Sequence, residues 1–255
     1  MLDKEYYKDY TRRFNAIYKY LLGLSDPIEK VSEEICSLRK YTKPCMRTEI
    51  EKVGFIKVPD TADIRYVYEN AFSDLGLCGN AGEFLLSGRY IFPVRDMMGN
   101  VIALIGWFPD EKRYITTPSA LFSKSGLFFG MEQLGSSGIG SVYFLVEGIF
   151  DSLALRSLGY RAVAQMGINS SKEKEVLYGL FRRLIAIPDA DERGREVLKG
   201  NKWKLPNGSS YLAWSYSKVR IKDVDDLIKY YDDETLKSLF DDAVMDTTAV
   251  ITYKL

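Results

Sequence analysis

Ser141–Asp151 reads SVYFLVEGIFD, and the reading of this stretch decides the fold. Five apolar residues, Val142 to Val146, stop abruptly at Glu147-Gly148. Asp151 follows four residues later, where a second apolar pattern begins. A short run of β-branched and aromatic residues bounded by glycine suits a strand covered on both faces, followed by a tight turn and a helix. Glu147 then lies at the carboxyl end of the strand, where open α/β sheets place their ligands. An acid directly after five apolar residues requires a partner, because an unpaired buried carboxylate is costly. A metal ion is one such partner.

A second stretch has the same form. Leu184–Pro188 (LIAIP) is a short apolar strand candidate running into Asp189-Ala190-Asp191, with Gly194 beyond it. Alternation along an extended segment points Asp189 and Asp191 the same way. Parallel strands ending in Glu147 and in the Asp189/Asp191 pair would bring three carboxylates together. Hard cations such as Mg²⁺ are held by a few carboxylates, waters and substrate phosphates. A third acidic turn follows at Lys222-Asp223-Val224-Asp225-Asp226. Each acid has a plainer reading as a helix cap or solvated turn residue; Asp191 would cap a helix starting at Glu192. Three acidic turns in order, each at an element boundary of one βα pattern, favour the metal reading for the set.

EGIFDSLAL, IPDADERG and KDVDDL resemble the three motifs of a TOPRIM domain: a glutamate at a strand end, a DxD turn and a later acidic pair. Such domains occur in DnaG-type primases, topoisomerases and some nucleases, and hold Mg²⁺ for phosphoryl chemistry on nucleic acids. Three upstream segments resemble the DnaG-type primase family in particular. Arg89–Asp96 reads RYIFPVRD where the family has R-x-x-F-P-I-R-D. Arg113–Pro118 and Phe122–Gly130 stand for its K-Y-x-N-S-P and F-x-K-G-x-x-L-Y-G segments. The resemblance covers about residues 45–230.

It implies that Glu147, Asp189 and Asp191 are the metal-binding, catalytic acids, supported by Asp151, Asp223 and Asp225 as further metal residues. It implies template or nucleotide phosphate contacts at Arg89, Arg113 and Lys124. Arg113 stands where the family usually has lysine, so a fork replaces a point charge. Arg95 belongs to the same basic set, with a structural alternative: pairing with Asp96 or Glu111 across the hairpin. Gly167 matches a family glycine that allows close backbone approach to a phosphate or metal, and reads equally as an ordinary turn glycine.

The fold class expected is α/β: a TOPRIM-type, mostly parallel sheet flanked by helices, preceded by a mixed α+β subdomain and N-terminal helices. The expected divisions are a helical segment over 1–44, the α+β subdomain over 45–138, the TOPRIM domain over 139–232, and a C-terminal helix and tail over 233–255. Tyr7, Tyr10, Phe14, Ile17 and Leu21 recur at helical spacing, with Gly23 as C-cap. The plainer reading of these tyrosines, core packing, is preferred over base stacking. Asp26-Pro27 opens a second helix, with Asp26 as N-cap, Glu29 closing a capping box, and Pro44 ending it. Its apolar face is Ile28, Val31, Ile35 and Leu38. A short helix around 47–53 stops at Gly54, and another lies near 62–72. Tyr90–Val94 and Val101–Trp107 form a hairpin around the turn from Asp96 to Asn100, with Arg113–Ile115 as third strand. After the DxD turn, Tyr211–Trp214 offers a fourth strand of the parallel sheet, and helices follow over 226–231 and 233–245.

Composition limits the chemistry. The 255 residues include no histidine, which excludes Ser-His-Asp and Cys-His catalysis and every zinc site needing His. Cys36, Cys45 and Cys78 cannot build a Cys₄ site, and their odd number and wide spacing fit reduced cytosolic thiols. Base work falls to carboxylates, lysine or metal-bound water. With 35 basic and 35 acidic residues, the chain lacks the basic excess of a non-specific nucleic-acid binder, though a local basic groove remains open. The N-terminus, MLDKEYYKDYTRRF, lacks a signal-peptide core. The family's zinc-binding domain has no ligand set here, and only about 25 residues follow Tyr230. The chain therefore reads as a minimal cytoplasmic catalytic core, of a size that fits small virus-encoded primases.

The resemblance implies Mg²⁺- or Mn²⁺-dependent, DNA-templated synthesis of RNA primers, without zinc in the chain. It implies single-stranded DNA and ribonucleoside triphosphates as partners, with a replicative helicase or a separate zinc-domain initiation protein beside them. Two other classes stay open. One is a TOPRIM nuclease, which cleaves DNA with metal and water alone, or a topoisomerase, which needs a nucleophilic tyrosine on a further domain. The other is a non-catalytic replication accessory, which would fail to bind Mg²⁺.

Overall fold

The structure is a computed structural model and describes residues 4–59, 75, 77–78, 84–110, 113–116, 126–137, 141–166, 172–200, 202–214, 221–245 and 250–251. The chain forms two compact units. Met1–Lys40 groups with Arg47–Ser123, and Tyr41–Met46 groups with Lys124–Leu255.

In the first unit, α1 (Lys4–Leu24) buries Tyr10, Phe14, Ile17 and Leu21, as the helical spacing predicts. Core packing of the aromatic stripe is thus what the structure shows for Tyr10 and Phe14. Tyr7 is half-buried and donates its hydroxyl to Asp96. The helix continues through Gly23, whose surroundings are open, so the expected glycine cap is not formed. In α2 (Ile28–Arg39), Val31 and Ile35 are buried but Leu38 is exposed. The expected Asp26 capping box is also absent. Pro27 is the extended residue before the helix, with no side-chain cap, and the Asp26 carboxylate takes Lys30 Nζ at 3.0 Å instead. Lys40, in the left-handed region at φ 60, ends α2 by donating to the Cys36 and Ser37 carbonyls. Pro44 opens α3 (Pro44–Val53) rather than closing α2, a position where a missing N–H costs nothing.

The unit's sheet is antiparallel, in the order β1 (Ile56–Lys57), β2 (Tyr90–Arg95), β3 (Val101–Phe108), β4 (Arg113–Thr116). The expected hairpin is β2 and β3, with Phe92 opposite Ile105. The Asp96 carboxylate closes its turn by accepting the Met98 and Asn100 N–H groups, both at 2.8 Å. Ile91 and Leu104 meet the buried face of α1 in one core with Leu77 and Leu86. The helix expected near 62–72 lies outside the described residues.

In the second unit, α4 (Glu132–Ser137) precedes β5 (Val142–Val146), α5 (Ile149–Ser157), β6 (Ala162–Ala164), α6 (Lys172–Tyr178), β7 (Arg183–Ile187) and α7 (Glu192–Gly200). Then come β8 (Ser210–Tyr211), β9 (Ala213–Trp214), α8 (Val224–Tyr230), α9 (Asp233–Met245) and β10 (Val250–Ile251). The parallel sheet has the order β6-β5-β7-β8. Tyr143 and Leu145 on β5, Leu184 and Ala186 on β7, Phe128, Tyr178 and Trp203 form its core. This is a mixed α/β fold with a parallel sheet flanked by helices.

One strand departs from expectation. Tyr211–Trp214 is not a single strand: Ser210–Tyr211 pairs with β7, whereas Ala213–Trp214 pairs in parallel with β10 in a second sheet. Leu212 donates to the Ala186 carbonyl at 2.8 Å and is the last residue held by the main sheet. Apolar character alone could not reveal where the ladder changes partner.

Candidate metal centre

Strands β5 and β7 are adjacent and parallel, with Val146 opposite Ile187. Residues just beyond them are therefore neighbours. Glu147 Oε1 accepts the Asp189 backbone N–H at 3.2 Å, which joins the first two acidic turns directly. The third acidic turn arrives by backbone hydrogen bonds: Ala190 donates to the Lys222 carbonyl at 2.6 Å. The Asp225 N–H donates to Asp151 Oδ1 at 2.8 Å. Residues 32 to 74 positions apart thus meet at one rim of the sheet.

The turns are built for this. Gly148 is extended, and a Cβ there would lie 2.5 Å from Asp151 Oδ2, so Asp151 can fold back over the strand end. Asp191 Oδ1 accepts the Gly194 N–H at 2.9 Å, so this exposed acid does cap α7, the plainer reading of its position. Asp223 caps α8, taking the Asp226 N–H at 2.8 Å. Asp223, Asp225 and Asp226 each offer a carboxylate oxygen within 4.8 Å of the others.

Electrostatics favour a cation here. Burial, with Glu147, Asp223 and Asp191 nearby, pushes the Asp189 carboxyl up to about 8, against the pull of Lys222. Burial first, then Asp223, Asp189 and Asp225, holds Asp151 well above the ordinary carboxylate range. Asp223 is raised by burial and by Asp226 and Asp225. Glu147 is raised by burial and Asp191, although the Asp189 N–H and Arg193 oppose this. An all-oxygen set of mutually repelling, partly buried acids fits a hard divalent ion, which would replace protons as the neutralising charge.

A pH effect follows. Acids with raised native pKa bind more protons folded than unfolded, so stability falls as pH rises. For Asp189 the loss begins near its unfolded value of 3.8 and is complete above about 8. The metal-free protein is expected to melt lower at pH 8 than at pH 6, and the rise in Tm on adding Mg²⁺ to be larger at pH 8. Melting curves at the two pH values check this; a flat metal-free profile with a pH-independent Mg²⁺ shift would refute it.

All six acids expected at the site lie in the second unit. Arg89, Arg95 and Arg113 lie in the first, and Lys124 and Gly167 fall outside the described residues. The Arg89 guanidinium lies 5.6 Å from the Phe108 ring centroid. Arg95 does not pair with Asp96, and Glu111, the other expected partner, lies outside the described residues. It donates to the Gly99 carbonyl at 3.1 Å and lies 5.3 Å from the centre of the Tyr18 ring. Arg113 opens β4, opposite Phe108.

Three residues were not singled out from the sequence. Tyr41 donates its hydroxyl to Asp225 Oδ1, and Lys229 Nζ reaches Asp225 Oδ2 at 2.5 Å. Lys229 had a signal, its i+4 spacing from Asp225. Tyr41, 184 positions away, had none. Lys174 is fully buried and donates to the Gln165 carbonyl at 2.7 Å, tying α6 to the end of β6. Met166 in turn donates to the Glu147 carbonyl at 2.9 Å.

Among known families, residues 144–228 match the Toprim-like model. The chain is 32% identical over 134 residues to a DNA primase of Pasteurella multocida, covering 49% of this chain and 23% of that protein. It is 34% identical over 85 residues to a DNA primase of Deinococcus radiodurans, covering 31% and 15%. The chain thus spans less than a quarter of the length of these relatives. In structure it resembles the DnaG primase catalytic domain bound to single-stranded DNA, with TM-score 0.74 and 18% identity over 92% of this chain and 79% of that one. Among the described residues no helix is long and apolar enough to cross a membrane.

Proposed function

We propose that this chain, whose fold is that of a DnaG-type primase catalytic core with a TOPRIM domain, synthesises short RNA primers on a DNA template. The observation that carries the reading is the hydrogen-bonded apposition of Glu147 and Asp189 at the rim where Asp151 and Asp225 also meet. In the reaction, the 3′-hydroxyl of one ribonucleotide attacks the α-phosphate of the next, and pyrophosphate leaves.

Glu147, Asp189 and Asp191 would hold the divalent ion, Mg²⁺ or Mn²⁺, with no role for zinc. When bound, it supplies neutralisation of phosphate charge and a lowered hydroxyl pKa. Asp151 and Asp223 support those acids or a second ion, and Asp225 supports them from behind. Arg193, whose positive charge acts on Glu147 from the first turn of α7, adds a cation beside the acids. Arg89, Arg95, Arg113 and Lys124 contact template or triphosphate backbone without reading bases, and Gly167 lets backbone approach a phosphate. The primase-core subdomain spans 45–138 and the TOPRIM domain 139–232. The setting is cytoplasmic, with single-stranded DNA and ribonucleoside triphosphates as partners and a helicase or separate initiation protein supplying start-site choice.

The test supplies single-stranded templates, labelled ribonucleotides and Mg²⁺. Short oligoribonucleotides that require both template and metal are expected. Cleavage of DNA by the protein and Mg²⁺ without nucleotides, and no oligoribonucleotides, would replace this reading with that of a nuclease.

A further inference from the structure

The six acids are not held alike. Among the described residues no hydrogen-bond donor reaches the Asp189 carboxylate, and the groups facing it are mostly other acids. Glu147 accepts one backbone N–H and Asp191 another. Asp225 differs from all of these. It is 2% exposed, with Tyr41 on Oδ1 and Lys229 on Oδ2, so both of its oxygens have strong donors within the protein. Meanwhile its backbone N–H holds Asp151 Oδ1 at 2.8 Å.

The Tyr41 end of this arrangement is itself fixed. The Tyr41 ring lies 6.4 Å from Phe150, and Lys229 Nζ sits 5.5 Å from the Tyr41 ring centre. Two residues on, Lys43 Nζ bonds the Tyr231 carbonyl at 2.5 Å and Asp233 Oδ1 at 2.6 Å. The short stretch 41–46 therefore grips both ends of α8. This explains why it groups with the second unit although its flanking residues group with the first.

We propose that Asp225 is a positioning residue, clamped by Tyr41 and Lys229, and that it does not itself ligate the divalent ion. Its task is to fix the first turn of α8, so that its N–H orients Asp151 and the preceding Asp223 stays presented to the other acids. Partners behind the ligands of a metal commonly set affinity by 10- to 100-fold through such orientation. The assignment rests on the metal reading of the preceding subsection.

Mn²⁺ binding to the full chain, followed by electron paramagnetic resonance, separates the possibilities without relying on activity. Tyr41→Phe removes one oxygen, keeps the ring against Phe150 and leaves the charge unchanged. It is expected to weaken Mn²⁺ binding by about 10- to 100-fold. Asp225→Asn keeps an acceptor for Tyr41 and is expected to lose no more than that, whereas Asp189→Asn abolishes binding. Binding by Tyr41→Phe as tight as wild type, or tighter, would overturn the proposal, because Tyr41 would then compete with the ion for Asp225. Loss in Asp225→Asn as complete as in Asp189→Asn would overturn it as well. An absence of Mn²⁺ binding by the wild-type chain would remove the metal reading itself and this assignment with it.

Discussion

Asp189→Asn is expected to lower primer synthesis by on the order of 10³-fold while leaving the fold intact. The side chain sits where two parallel strands deliver acids to one rim, and no hydrogen-bond donor reaches it among the described residues. Its value to the fold is therefore small and its value to a bound cation large. Phosphoryl transfer depends almost wholly on positioning and charge neutralisation, so removing one metal carboxylate removes the main source of rate. The substitution has a second, opposite signature. Asp189 is pushed up to about 8 by burial and by its acidic neighbours, so folding opposes its ionisation. The amide carries no such penalty, and the metal-free variant is expected to melt higher than wild type at pH 8. Activity within tenfold of wild type would end the metal assignment. A variant inactive because it is unfolded would be recognised by its melting curve.

Gly194→Ala is expected to be nearly as damaging, for a reason of space rather than charge. A Cβ at Gly194 would lie 2.8 Å from the Asp189 carbonyl carbon and 2.9 Å from its nitrogen, and closer still to the carbonyl oxygen. These are backbone atoms at the end of a buried strand, so relief requires α7 to move away from the Asp189 turn. Overpacking of this kind costs about 3 kcal/mol. For a chain of this size that lowers Tm by roughly 6–12 °C. The shift would also move Asp191, whose Oδ1 is bonded to the Gly194 N–H. A displacement of about 1 Å at catalytic groups is enough for a 10²-fold loss of rate, so activity should fall at least that far. Thermal melts and primer assays on the same preparation check both effects. An alanine variant that melts within about 2 °C of wild type and keeps its activity would show that the turn yields freely.

Much of the site was legible because its signals are local. Short apolar runs that end abruptly in Glu147 and in Asp189 mark buried strands and their carboxyl ends, and both strands form where expected. The spacing of Tyr10, Phe14, Ile17 and Leu21 marks a helix and its buried face, and the structure buries all four. Caps were less legible. Asp26, Gly23 and Pro44 all have the chemistry of helix boundaries. Which of them acts depends on backbone angles such as those of Pro27 and Lys40, which the residue types do not dictate.

The amino-acid sequence by itself determined the α/β class and the order of the three acidic turns, because these follow from period, polarity and adjacency along the chain. Only the tertiary structure decided that β5 and β7 are neighbours, that Ala213–Trp214 leaves the main sheet, and that Tyr41 closes on Asp225. Those outcomes join residues far apart in the chain, and they are set by packing, in which the burial of whole faces selects one arrangement among many that local preference would allow.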